Sequence, residues 1–359
     1  MAPRTPNTLA SPLAAGAALL AAAALAGCGK APDLVVRISL DQVFSEELVR
    51  EFERETGLVV QAQYDIEQSK TVGHVSAILA EHASGRPRTD VFWNNEIAQT
   101  IRLAEQGLLA AYDSPSAAEI PALFRDAERR WTGFAARARV LIANTDLVQP
   151  DEVHGTLDLL AERWAGKAGI ALPLTGTTLT HATALYQVMG EAWARDFFGK
   201  IAAANAEGLV NLPNSNGQSM TLTKAGELAW AFTDTDDYYV AEQDGAPVAR
   251  IYPDQVEAPG TLMKDGAPIG TLLIPNTIML FKDAPHAENA KRFIDWVLRP
   301  EVEARLAASR SAQIPVRERV ARPAHVGRLG DFKAMQVDYV ALGQDIAART
   351  EELTKLFNR

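Results

Sequence analysis

Leu34–Leu40 (LVVRISL) is a short apolar, β-branched run that reads as a buried strand, and Phe44, Leu48, Val49 and Phe52 then recur at helical spacing until Gly57. Leu58–Tyr64 returns to a strand pattern. The alternation continues with a strand at Asp90–Trp93, a helix over Ile97–Gln106 stopped by Gly107, and a strand at Arg139–Asn144. It repeats with a strand at Gly169–Leu172, two helices between Thr180 and Ala204, and strands near Leu209–Leu212 and at Leu228–Asp234. A long apolar segment at Gly270–Phe281 precedes helices over Pro285–Leu298, Glu301–Ala308 and Phe332–Phe357. Strand-then-helix alternation of this kind predicts parallel sheets covered by helices. Two apolar stretches, Val140–Asn144 and Leu272–Leu280, lie roughly 130 residues apart with no linker between them, which predicts two lobes joined by paired crossovers. Ligands of such proteins collect between domains and at the carboxyl ends of strands.

The first residues follow a different pattern. Arg4, an Ala/Leu stretch from Leu13 to Leu25 and the sequence Leu25-Ala26-Gly27-Cys28 form an export signal ending in a lipobox. The stretch is too short for a membrane span. Residues 1–27 are therefore expected to be removed and Cys28 lipidated, with 28–33 as a tether that holds the protein to the membrane on the periplasmic side of the cell envelope. Cleavage leaves 332 residues, enough for two medium domains, with a net charge of −11. An acidic surface without a basic stripe argues against nucleic acid as a partner. Cys28 is the only cysteine, so the folded body has no disulfide, Cys-ligated zinc or thiol nucleophile.

Four polar clusters lie at the ends of predicted strands: Asp41-Gln42, Asn94-Asn95-Glu96, the pair Arg137 and Arg139 running into the proposed crossover, and the run Thr233 to Tyr239 (TDTDDYY) that opens a helix. Each has a structural alternative: Asp41 and Asp234 to Asp237 as helix-capping acids, either arginine as a surface residue with a buried stem. Gly176 to His181, with Thr177 and Thr178, offers hydroxyls and amides at a helix start suited to an anion or a carboxylate. Asn214-Ser215-Asn216-Gly217 reads as a turn first and a site second. The remaining histidines, His74, His82, His154, His286 and His325, share no metal-ligand spacing and read as surface residues. No Gly-x-Ser-x-Gly, His-Glu-x-x-His, Gly-x-Gly-x-x-Gly or P-loop motif occurs, so the chain does not read as an enzyme.

The opening strand and helix with Asp41-Gln42 and Gly57, the Thr89-Asp90-Val91-Phe92-Trp93 strand, the Gly133–Asn144 arginine segment, the acidic strand end, Pro285-His286 and Gln313-Ile314-Pro315 together resemble the periplasmic ferric-iron-binding proteins. These are type II solute-binding proteins of ABC importers. The resemblance implies a two-lobed α/β fold, each lobe a mainly parallel sheet flanked by helices and joined by two crossover strands. Lobe 1 is expected to comprise 34–138 and 276–359, and lobe 2 139–275. It implies a monomer that delivers Fe(3+), held with a synergistic anion such as carbonate, to a permease and its ATPase. By position, the family's metal ligands fall near Asp41 and Asn95, an anion neighbour at Glu96, and the anion arginine at Arg137 or Arg139. The family's tyrosine pair is replaced by Asp236-Asp237, with Tyr238-Tyr239 two residues later as alternative ligands. Carboxylates suit a hard cation. The same acids suit an organic ammonium, with Arg137 holding an acid group at the other end, so an aminophosphonate or polyamine is the competing solute. A sensor lipoprotein and an extracytoplasmic enzyme built on Glu96 or His181 are the remaining readings.

Overall fold

The computed structural model describes residues 31–64 and 72–358; the signal segment and Cys28 lie outside the described residues. The first elements are β1 (Leu34–Ile38), α1 (Gln42–Thr56), β2 (Val60–Tyr64), α2 (Val72–Ala83), β3 (Val91–Asn94) and α3 (Ile97–Glu105). Then come β4 (Thr132–Asn144), β5 (Ala168–Gly169), α4 (Gly176–Met189), α5 (Glu191–Ala206), α6 (Asn216–Lys224), β6 (Trp230–Asp234) and α7 (Thr235–Gln243). The chain closes with β7 (Val248–Ile251), β8 (Met263–Lys264), β9 (Ala267–Pro268), β10 (Leu273–Leu280), α8 (Ala287–Val297), α9 (Pro300–Ala308) and α10 (Tyr339–Phe357).

Leu34, Val36 and Ile38 are completely buried because β1 lies between β2 and β3, parallel to both, with helices on its faces. Helix α1 buries Ser45, Leu48, Val49 and Phe52 and ends at Gly57, whose φ of 70° lets its N–H reach the Glu53 carbonyl. Phe52 meets Phe293 and Trp296 edge-on at 5.0 and 5.9 Å, tying α1 to α8. Full burial of one such ring stabilises the fold by about 2–3 kcal/mol. The buried Asp90 carboxylate accepts hydrogen bonds from the Val35 amide and from the His286 amide and ring, pinning β1 to the turn before α8.

The two crossovers are β4 and β10. Thr132–Ala138 of β4 pairs antiparallel with β10, while Arg139–Ala143 pairs with β6 and Leu141–Asn144 with β7. β10 pairs antiparallel with β3 as well, so the strands follow one path, β2-β1-β3-β10-β4-β6-β5, with β7 beside β4. The parallel pairs sit on either side of this antiparallel seam. The register slips between Pro275 and Asn276, where Ala135 adopts φ 40° and Asn276 Nδ2 donates to its carbonyl. A bulge of this kind bends the strands at the level where the chain passes from one half to the other. Helix α10 packs against α3 of one half and α4 and α5 of the other. Gly343 permits this approach, because a Cβ there would lie 2.4 Å from Ile101 Cβ.

The polarity pattern misjudged several segments. Helix α2 occupies a stretch with no predicted element, and the expected strand near Leu209–Leu212 is reduced to a single bridge between Gly169 and Asn211. Asn214–Gly217 leads into α6, which Ser215 caps by accepting from the Gln218 amide. His74 is buried, its ring between the Ile38 carbonyl and Arg37. Among the described residues, no helix is long and apolar enough to cross a membrane.

Candidate functional site

A cleft of about 630 Å³ opens where the carboxyl ends of β1, β3 and β6 meet the starts of α4 and α6. Leu40, Asp41 and Asn95 form one wall, and Thr175–Thr178 with Asn214–Gln218 form the other. Arg137, Asp234, Asp236 and Asp237 also line it.

Asp234 is the electrostatic anchor. It ends β6, is 1% exposed, and accepts from Arg139 Nη1 at 2.8 Å, Thr177 Oγ1 at 2.6 Å, Asn216 Nδ2 at 3.1 Å and Arg137 Nη1 at 3.4 Å. Burial alone would raise its pKa, but the Arg139 and Arg137 guanidiniums hold it below the usual carboxylate range. Arg139 is completely buried behind it, over the Phe232 ring, and does not line the cleft. Arg137 does. Its Nη2 donates to the Asn95 carbonyl at 2.6 Å and its Nη1 to Asp236 at 3.2 Å, while Nε has no hydrogen-bond partner among the described residues. Burial works against its charge, yet Asp236, Asp234 and Asp237 together push its pKa above the ordinary arginine value.

The geometry of α7 explains which of its residues face the cleft. Successive positions turn by 100°, so Asp236, Asp237 and Val240 share one face and Tyr238 and Tyr239 take another. Asp237 accepts from Thr233 Oγ1, and one oxygen each from Asp234, Asp236 and Asp237 lie within 4.8 Å of one another. Tyr238 donates to Glu242 and Tyr239 to the His325 carbonyl; neither lines the cleft. The Arg250 guanidinium stacks over both rings and over Tyr252. The alternative tyrosine ligands thus face the core in this structure.

Glu96 is placed otherwise than at the cleft surface. Its carboxylate caps α3 through the Ala98 and Gln99 amides and accepts from Thr180 Oγ1 of α4, linking the two halves. Burial raises its pKa. Asn95 reaches the cleft, its side chain accepting from Ser39. Asp41 lines the cleft and precedes α1 without capping it through its side chain. Thr177 is engaged by Asp234, and Thr178 donates to Asn216 Oδ1. Thr175 makes no side-chain cap, so the first-turn amides of the 14-residue α4 end at the cleft wall beside Arg137. The start of α6 is the part of the wall that sequence reasoning undervalued; Ser215-x-x-Gln218 carries the helix-start signature that would have found it. His181, within α4, is buried against Phe232, and its pKa is pushed down to about 3, first by burial and then by Arg139.

A family model for bacterial extracellular solute-binding proteins matches residues 47–334. The chain is 24% identical over 347 residues, 91% of each chain, to iron uptake protein A1 of Synechocystis sp.. Its fold superposes on iron-bound HitA from Pseudomonas aeruginosa with a TM-score of 0.76 at 20% identity, covering 89% of this chain and 98% of that one. The periplasmic binding protein AfuA from Actinobacillus pleuropneumoniae, with fructose-6-phosphate bound, superposes with a TM-score of 0.74 at 19% identity, covering 90% and 98%. One two-lobed architecture thus carries unlike ligands, and the choice between them rests on the cleft's own residues.

Proposed function

This chain belongs to the bacterial extracellular solute-binding protein family, and from that premise we propose that it captures a small zwitterionic organic solute of the aminophosphonate type for an ABC importer. The observation that carries this reading is Arg137. It stands 3.2 Å from Asp236 with a free Nε, beside the uncapped start of α4. A phosphonate or carboxylate fits the guanidinium and the helix amides. Asp236, Asp237 and Asp41 then face the ammonium. Closure of the two halves about the bulged crossovers near Ala135 and Pro275 would enclose the solute and present it to the permease and ATPase. Lipid on Cys28 would keep the body at the envelope.

Ferric iron is the second reading, favoured by the clustered aspartates and by the iron-related relatives. In that case Asp236, Asp237 and Asp41 would ligate the ion and Arg137 would hold an anion such as carbonate. Two features weigh against it. Asp234 is already committed to two guanidiniums, and Arg137 stands where its charge opposes a trivalent cation on Asp236.

Titration calorimetry with 2-aminoethylphosphonate tests the reading. Saturable heat is expected, weakened about 100-fold or more in Arg137→Ala, as losing one partner of a buried charged contact costs about 2–5 kcal/mol. Stoichiometric iron in protein purified without chelators, together with no heat from the aminophosphonate, would give the site to the metal.

A further inference from the structure

A second cavity of about 780 Å³ adjoins the cleft and shares Asp41, Ser215, Gly217, Gln218, Asp236 and Asp237 with it. The rest of its lining differs in kind. Val43, Phe44 and Leu48 of α1, Met220 of α6, Val240 of α7 and Leu306 of α9 give it an apolar stripe contributed by both halves, rimmed by Glu47, Thr221, Arg305, Ser309 and Arg310. Val43 is 82% exposed in the first turn of α1, although an exposed turn ordinarily carries polar residues.

The charges around this annex are already answered. Glu47 pairs with Arg54 at 2.8 Å, Arg310 with Asp244 at 2.7 Å, and Arg305 with Glu51. The order of chemistry through the two cavities is therefore guanidinium and helix start, then carboxylates, then apolar wall. We infer that the solute is branched to match: an oxyanion at Arg137, an ammonium at the junction acids, and an apolar alkyl or aryl substituent lying along Val43, Phe44 and Met220. This rests on the zwitterion reading and narrows it to solutes with an apolar substituent on the amine-bearing carbon.

The test is a series of 1-aminoalkylphosphonates from methyl to pentyl, measured by calorimetry on the mature wild-type protein and on Val43→Asp/Met220→Glu. Affinity should rise about fourfold per added methylene in the wild type, and the pentyl-to-methyl ratio should fall close to one in the double variant. Val43 is exposed and Met220 only half-buried, so the variant should fold, which its circular dichroism and melting curve report. A flat series in the wild type, with the methyl compound bound, would overturn the annex and leave the zwitterion reading standing. An undiminished ratio in the double variant would place the substituent elsewhere and also overturn it. Absence of binding by every member while 2-aminoethylphosphonate still binds would overturn the branched solute alone, and absence of binding by 2-aminoethylphosphonate as well would remove both readings together.

Discussion

A fully buried carboxylate is tolerated only where its charge is met, and Asp234 shows how completely that is done: two guanidiniums, a hydroxyl and an amide converge on it. Asp234→Asn would leave Arg139 buried without its counter-ion. The variant should lose about 3–5 kcal/mol in urea unfolding, because breaking a buried pair strands the remaining charge. A loss below about 1 kcal/mol would mean that Arg139 finds another acceptor. His181 gives a second expectation with a definite sign. Its folded pKa of about 3 lies below the ordinary 6.5, so the unfolded chain binds the additional proton between these values. Stability conferred by the neutral ring is complete above about pH 6.5 and falls as the pH drops, at up to about 1.4 kcal/mol per pH unit. Apo His181→Phe should show a shallower decline of unfolding free energy over that window than the wild type. At this scale the sequence was partly readable. Asp41, Asp236 and Asp237 could be singled out because each follows a strand, and they line one cleft with Arg137, which lies within β4. Glu96 follows a strand too, but an acid before a helix has the same spacing whether it faces a ligand or turns back onto the first amides, as this one does.

Among the elements, α7 divides its acids from its tyrosines by helical geometry, and α10 joins what the crossovers separate. The contact at Gly343 is close enough that Gly343→Val should destabilise the apo protein by about 1–3 kcal/mol, through overpacking against Ile101. Melting-curve analysis with an unchanged midpoint would show that α10 can shift on α3 without cost. The strand-helix alternation was legible because buried strands and amphipathic helices leave different apolar periods. The limits of that signal are equally physical. β4 begins at Thr132, earlier than the apolar run at Val140 suggests, because Gly133 and the alanines of the segment pack in a tight interior without a hydrophobic signature of their own. Near Leu209, which is itself exposed, only Val210 packs inward, and a single bridge between Gly169 and Asn211 is all that forms.

For the molecule as a whole, the apolar crossover segments announced two halves, and the crossovers pair with each other antiparallel while joining both. What sequence could not convey is that the C-terminal helix touches both halves, since its apolar stripe does not specify its partners. The anchor should be separable from the body. Cys28→Ser is expected to abolish detergent-phase partitioning while leaving the melting temperature of the body unchanged, because the first strand begins only at Leu34. Partitioning that persists would mean another attachment. The floor of the cleft carries one last consequence. Arg137 is already paired within the protein, yet Asp41, Asp234, Asp236 and Asp237 leave the cleft more acidic than basic, and that excess would draw the ammonium of the proposed solute. The attraction would act in a partly enclosed space, where dissolved ions screen weakly. A cell cannot set the salinity of the water outside it, and a receptor of this design would scavenge as well in brackish surroundings as in fresh.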